Sequence, residues 1–388
     1  MQGLYADLHV HIGQAMGRAI KITASRDLTL ENLLNRTASR KGLDIIGVVD
    51  AASPRVLQEV REMLAGGELA EVAGGGLLSE SGVLLVLGAE VETREGAHFI
   101  TYLPDMTSMQ EFSKFLAPRV TNPNLSTQKA GLQVGELVQV SRDLGGIFCP
   151  AHAFTPHKGA YGCWVSRLAD GLGSAVTEVE VLELGLSADS CMAGMIAETH
   201  RFNFLSNSDA HSLQNVAREY NWLAMRERSF AELHLALAGK RGRSILANYG
   251  MDPRLGKYHR TYCPDCRTIA SGEPPVLACE HCGNPRVVMG VLDRVCHIAD
   301  YAIPHQVGER APYYYRVPLN MLPGLGNKLL DRLVAHFGSE IEVMEKAGIT
   351  EIARIAGENI AVGIDKMRNN QLSILPGGGG KYGKIKKN

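Results

Sequence analysis

The chain has 388 residues, 45% hydrophobic and 21% charged, with a formal net charge of −1. This composition fits a globular protein of more than one domain, excludes a disordered chain, and gives no whole-molecule field that would draw a polyanion. No apolar run approaches the ~20 residues needed to span a bilayer, and no charged-then-apolar leader precedes the first motif; the expected setting is cytoplasmic, with no membrane partner.

Residues 3–6 read as a short apolar strand running into Asp7-Leu8-His9-Val10-His11. Side chains alternate faces along a strand, so Asp7, His9 and His11 are expected on one face. A helix is expected over 28–40 behind Asp27 as cap. Another is expected over 54–65, with Ser53 a better cap than Asp50. Near-continuous apolar runs at 43–49, 83–91 and 97–103 predict strands covered on both faces. The last two are separated by a turn at 93–96. Residues 66–82 are glycine-rich and read as a surface loop. Shorter runs at 146–149, 179–184 and 202–205 predict further strands, with helices over 109–116, 135–144 and 190–199. This alternation implies an α/β fold, a largely parallel sheet or barrel, over residues 1–247.

Imidazoles and carboxylates recur where these runs stop: Asp50, Glu90, His98, His152 with His157, Glu183, and Asp209 with His211. In parallel α/β architectures the strand ends form the functional face, so these side chains are expected to converge. A mixed set this large exceeds the three or four ligands of one tetrahedral zinc. It suits two or three divalent cations (Zn, Mn or Mg) acting on both oxygens of a phosphoryl transfer. The expected ligands are His9, His11, Glu90, His152, Asp209 and His211, all but His152 also forming the expected catalytic set. Asp7, Asp50, His98, His157 and Glu183 form a second tier. Glu90 is preferred to Glu92 because it directly follows the apolar run, and Glu183 to Glu180 because it lies nearer its run's end.

Residues 248–261 read as a basic linker. Cys263-Pro-Asp-Cys266 and Cys279-Glu-His-Cys282 then form two C-x2-C knuckles twelve residues apart. Four thiolates at this spacing hold one structural zinc tetrahedrally and leave no open position for catalysis. The expected module covers 248–300, and its Lys257 and Arg260 are expected to contact DNA, in a setting that also holds Arg254, His259 and Arg267. After a Pro/Tyr-rich connector at 302–317, residues 319–372 read as helical, within a domain over 301–375. Leu322-Pro323-Gly324-Leu325-Gly326-Asn327-Lys328 resembles the hairpin of helix-hairpin-helix enzymes, whose glycines let backbone N–H groups approach a phosphate. Gly324, Gly326 and Lys328 are the expected DNA contacts there. Residues 347–357 look like a degenerate second copy. The Gly/Lys-rich tail, 376–388, carries Lys381, Lys384, Lys386 and Lys387 and is expected to be flexible.

The combination Asp7-x-His9-x-His11, Asp50, Gly88-x-Glu90, Pro150-Ala151-His152 and Ser208-Asp209-Ala210-His211 resembles the polymerase and histidinol phosphatase (PHP) family. That resemblance implies a distorted (β/α)7 barrel with up to three metals at one face. Many members have Asp-His where this chain has Asp50-Ala51, so one family ligand is missing or is supplied by His98 or His157. A PHP-type barrel, then a four-cysteine zinc module, then a helix-hairpin-helix-like domain resembles the endonuclease Q family of DNA repair enzymes. Gly256-Lys257-Tyr258-His259 and the run from Pro376 to Ile385 support the likeness. It implies nicking on the 5′ side of deaminated bases (uracil, hypoxanthine, xanthine) and abasic sites by metal-activated water, leaving a 3′-hydroxyl and a 5′-phosphate. The implied partner is damaged DNA, double- or single-stranded; no protein partner follows. The alternatives are a PHP phosphatase acting on small phosphate monoesters and a non-catalytic DNA-binding protein. Reading a lesion would require an extruded nucleotide; the loop 153–166, with Phe154, Tyr161 and Trp164, is a candidate to face it, the alternative being that these aromatics are core. Arg218 is expected to touch phosphate or to pair with Glu219 or another acid.

Overall fold

The computed structural model describes residues 1–305 and 308–386. Gln2–Val10 pairs parallel with Ile45–Val48, which pairs parallel with Leu84–Glu92. On its other edge Gln2–Val10 pairs antiparallel with Tyr220–Met225, which pairs antiparallel with Ser244–Gly250. Tyr313–Tyr315 adds parallel to that edge. Leu84–Glu92 pairs antiparallel with His98–Leu103, and this strand antiparallel with Ile147–Pro150. Val181–Glu183 and Asn203–Leu205 form a separate parallel pair. The ten-stranded sheet is therefore mixed, not largely parallel. A parallel crossover needs a dozen or more residues, and the short turn from Glu92 to His98 permits only a hairpin.

Alternation along these strands divides the core into two clusters. Leu4, Ala6, Leu8, Ile45, Leu84, Val86, Ile100 and Leu223 join Val181 and Leu205 of the separate pair in one. Tyr5, Ile46, Val48, Leu85 and Leu87 face the helices in the other. Each fully buried Leu or Ile contributes roughly 1.5–3 kcal/mol. The helix Pro54–Gly66 turns Val56, Leu57, Val60 and Met63 inward on a helical repeat.

Several expectations are corrected. The helix expected behind Asp27 is capped by Thr29, whose hydroxyl accepts from Asn32 N at 3.2 Å. Ser53 stands at its helix start, but its hydroxyl donates to Asn124 O at 3.1 Å. Residues 66–82 are not only a loop. Leu69–Glu71 and Leu77–Ser79 pair antiparallel around Gly74, Gly75 and Gly76, which all have positive φ. The helix expected over 190–199 stops after Ser190–Ala193, and Ala197–Arg201 is a 3-10 turn. Thr199 ends it by donating to Ala193 O at 2.7 Å. Strands at Tyr220–Met225, Ser244–Gly250 and Tyr313–Tyr315 occupy segments with no anticipated strand, the second partly and the third wholly within the expected linkers.

The C-terminal helices Asn327–Phe337, Glu340–Glu345, Ile349–Ala356 and Glu358–Arg368 pack on one another. Buried Glu340 ties them to the first half through Lys41 at 2.8 Å, and Glu345 through Tyr220 at 3.0 Å. Among the described residues no helix is long and apolar enough to cross a membrane.

Candidate metal centre and nucleic-acid cleft

A bulge in the first strand builds the site. Between Asp7 and Val10 the strand gains one residue against Ile46 and Val48 of its partner. An extra residue reverses which face the following side chains take. Asp7, His9 and His11 thus do not act as one row. The buried Asp7 carboxylate accepts from the backbone N–H of Ser208 at 3.1 Å and of Ala217 at 2.9 Å. It fixes the loop that carries Asp209 and His211 and stays out of the cluster.

His9 and His11 enter the cluster with their tautomers set. His9 Nδ1 donates to Glu183 at 2.9 Å, and His11 Nδ1 donates to Asp50 at 3.0 Å. A carboxylate can only accept, so each Nδ1 carries a proton, and in the neutral ring each Nε2 bears a lone pair. Both Nε2 atoms are buried without a hydrogen-bond partner. They lie 3.6 Å from Glu90, and 3.5 Å (His9) and 3.3 Å (His11) from Asp209. Orphaned imidazole lone pairs aimed at two carboxylates suit divalent cations, with Asp50 and Glu183 orienting the rings. Three overlapping groups have mutually close ligand atoms: His9, His11 and Glu90; His11, Asp209 and His211; Glu90, His98 and His152.

Glu90 is the hub. It bonds His98 Nδ1 at 2.9 Å, His152 Nε2 at 3.1 Å, Thr127 Oγ1 at 2.9 Å and Lys21 Nζ at 3.3 Å. Glu92 pairs with Lys158 at 2.6 Å and lies 3.6 Å from His98 Nε2 at the edge of the cluster, whereas Glu180 points to His234 at 3.0 Å, away from it. His157 is exposed and packs its ring against Tyr258, with centroids 5.3 Å apart. His152 and Asp209 have positive φ, +29° and +45°, a backbone strain that clusters at functional sites. Gly185 makes room for the former: a Cβ there would lie 2.9 Å from His152 Cβ.

The charges are coupled. Burial opposes a charged His9, but Glu183, Asp209 and Glu90 outweigh it and raise its pKa to about 10. Burial would raise Glu90, yet His98 and Lys21 hold it well below the usual carboxylate range. Burial and neighbouring His11 push His211 down to about 4. Protons and cations compete for these lone pairs, so ligand imidazoles must be neutral to bind metal.

The four cysteines of the two knuckles also converge. Cys263 Sγ lies 3.9 Å from Cys282 Sγ. A tetrahedron with Zn–S of about 2.3 Å has edges of about 3.8 Å, so the donor set and spacing fit zinc.

The MJ0043 C-terminal domain family matches residues 327–371. Protein YqxK of Bacillus subtilis (strain 168) is 41% identical in an alignment that covers all of both chains. The lesion-specific endonuclease PfuEndoQ from Pyrococcus furiosus is 33% identical with a TM-score of 0.86, covering 99% of this chain and 95% of that one. Endonuclease Q in complex with a 27-mer duplex substrate with an abasic lesion at the active site is 33% identical at TM-score 0.86, covering 100% of this chain and 97% of that one. The chain belongs to the endonuclease Q family. With that membership it is a metal-dependent hydrolase.

In this family member the cluster lies in a cleft of about 610 Å³, with Lys21, Lys158, Lys257, Tyr258 and Tyr382 among its lining residues. That size is within the ~300–1,000 Å³ typical of ligand pockets. Lys257 reaches the cleft; Arg260 does not. The Arg260 guanidinium is paired with buried Asp293 at 3.1 Å and braces the zinc module. Phe154 and Tyr161 are fully buried and stacked on each other, and Trp164 packs edge-on to Phe99. These aromatics belong to the core, and the loop 153–166 faces the cleft through Thr155, His157 and Lys158 instead. Arg218 neither pairs with Glu219 nor points outward: it donates to Ser208 O at 2.7 Å and Asp209 O at 3.3 Å.

Gly324 has φ +88°, and Gly326 opens the helix Asn327–Phe337 with exposed Lys328 in its first turn. A Cβ on Gly326 would meet nothing within 4 Å, so its backbone is open to a large ligand. The tail is not loose: Ile374–Leu375 pairs with Lys384–Ile385. Lys387 lies outside the described residues. Lys21, Thr127 and Tyr382 are cleft residues that the sequence reasoning missed: Lys21 and Thr127 sit in no motif or strand end, and Tyr382 was noted only within the run 376–385, with no role at the cleft.

Proposed function

We propose that this protein is a DNA repair endonuclease. It nicks the phosphodiester on the 5′ side of uracil, hypoxanthine, xanthine and abasic sites, leaving a 3′-hydroxyl and a 5′-phosphate. The observation that carries this reading is the pair of buried, partnerless Nε2 atoms of His9 and His11 facing Glu90 and Asp209, in a chain that matches a lesion-specific endonuclease along its length.

His9, His11, Glu90, His98, His152, Asp209 and His211 would hold two or three divalent cations. Such ions lower the pKa of water and stabilise charge on a phosphoryl group. The other side chains do the rest. Asp50 and Glu183 fix the tautomers of His11 and His9. Asp7 and Arg218 hold the strained loop that presents Asp209. Lys21 and Lys257 draw the phosphate backbone into the cleft. Gly324, Gly326 and Lys328 bind the duplex away from the lesion, and one zinc on Cys263, Cys266, Cys279 and Cys282 folds the module between. Residues 1–247, 248–300, 301–375 and 376–388 form the corresponding functional units.

The test uses end-labelled duplexes carrying one uracil, one hypoxanthine or one abasic site, with Mg²⁺ or Mn²⁺. The wild-type protein should cut once, 5′ to the lesion, and leave an end that a polymerase extends. Asp209→Ala should not cut. Phosphate release from small monoesters without a lesion-dependent nick would overturn the reading.

A further inference from the structure

The Gly/Lys-rich tail ends in a built contact with the cleft. The loop between Ile374–Leu375 and Lys384–Ile385 lies along the segment before the zinc knuckles. Gly377 and Gly383 donate backbone hydrogen bonds to Arg254 O at 2.7 Å and Leu255 O at 2.9 Å. A Cβ on Gly377 would meet Gly383 N at 2.5 Å, and one on Gly383 would meet Leu375 O at 2.6 Å. Only glycine permits so close an approach. The next large side chain, Tyr382, is thereby set among the residues lining the cleft.

Its ring is held from two sides. Arg218 Nη1 lies 2.9 Å from the Tyr382 hydroxyl, and Lys257 Nζ lies 4.6 Å from the ring centroid. The same Arg218, itself buried, donates to the carbonyls of Ser208 and Asp209. The tail is thus joined through one guanidinium to the loop of a candidate metal ligand. Tyr382 nonetheless remains 37% exposed. A fixed, half-open aromatic ring at the mouth of a phosphate-attracting cleft has the properties of a stacking platform.

We propose that Tyr382 stacks on the base of the nucleotide extruded into the cleft. The inference rests on the DNA-lesion reading above. Uracil, hypoxanthine and xanthine differ in size and in hydrogen-bonding edge but share a π-face, so stacking serves all three without selecting among them. An abasic site has no base to stack, and it gains nothing from the ring.

That difference supplies the test. Tyr382→Ala, Tyr382→Leu, Tyr382→Phe and Tyr382→Trp are compared in the full chain, by fluorescence anisotropy and single-turnover nicking. The substrates are duplexes bearing uracil, hypoxanthine or an abasic analogue at the same position. Ala and Leu should weaken binding of the two base-bearing lesions by roughly 5- to 100-fold and leave the abasic duplex within about twofold. Phe and Trp should restore the base-bearing lesions. Leu keeps apolar bulk without a π-face, so it separates stacking from support of the tail. Equal loss on all three duplexes, or no loss on any, overturns the inference while the wild-type activity stands. A wild-type protein that nicks none of the three overturns the lesion reading itself, and the inference with it.

Discussion

Replacing Glu183 by Gln tests whether the cluster works through oriented imidazoles. Glu183 accepts from His9 Nδ1 at 2.9 Å, with both side chains at 0% exposure. A hydrogen bond to a charged group in such a place contributes about 1.5–3 kcal/mol, and a neutral one about 1 kcal/mol. The change therefore costs about 0.5–2 kcal/mol of ring orientation and basicity, or roughly 2- to 30-fold in metal affinity. Outer partners of ligand histidines typically carry ~10- to 100-fold effects, which agrees. Metal titration against a fluorescent chelator gives the affinity, and elemental analysis the stoichiometry. Glu180→Gln, whose carboxylate instead meets His234 and Lys240, serves as control and should change neither. Weaker binding at unchanged stoichiometry is the expected result. Loss of a whole ion equivalent would make Glu183 a direct ligand, and unchanged affinity would refute the tautomer argument.

Three further outcomes follow from other parts of the molecule. Cys279→Ser should remove one zinc per chain and lower the melting temperature, read by elemental analysis and calorimetry, while leaving the cations of the His/Asp/Glu cluster bound. Burial raises Glu219 from 4.5 to about 8. Its folded pKa lies above its unfolded one, so folding stability falls by roughly 1.4 kcal/mol per pH unit as pH climbs from 4.5 to about 8. Urea unfolding at pH 5.5 and 7.5 should show Glu219→Gln gaining about 2–3 kcal/mol on wild type between the two pH values; a pH-independent difference would contradict the buried-acid account. Lys328→Ala should weaken undamaged and damaged duplexes alike and reduce the slope of log affinity against log salt by roughly 0.9, measured by anisotropy; a loss confined to damaged duplex would place Lys328 elsewhere.

The convergence of histidines and carboxylates was largely legible because its members sit at strand ends, where alternation and an apolar run give a signal. Asp50, Glu90, His98, His152, Glu183, Asp209 and His211 are all brought to it or to the imidazoles within it. Alternation misled at Asp7, since a one-residue bulge leaves no mark in the residue pattern. The mixed sheet was hidden for a similar reason: a buried strand reads as an apolar run whichever direction its neighbour takes. Lys21 has no motif, and only the fold reveals that its amine meets Glu90 over a separation of 69 positions. The tail was misread because glycine signals flexibility in an unfolded chain and close packing in a folded one; Gly377 and Gly383 serve the second role.

The most direct measurement is the fate of a supercoiled circular duplex bearing one uracil. The wild-type protein with Mn²⁺ should convert it to the nicked circle, while Asp209→Ala, chelator-treated protein and the undamaged circle should give none. Nicking of undamaged and uracil-bearing circles at equal rates, or undiminished nicking by Asp209→Ala, would contradict a lesion-directed metal centre.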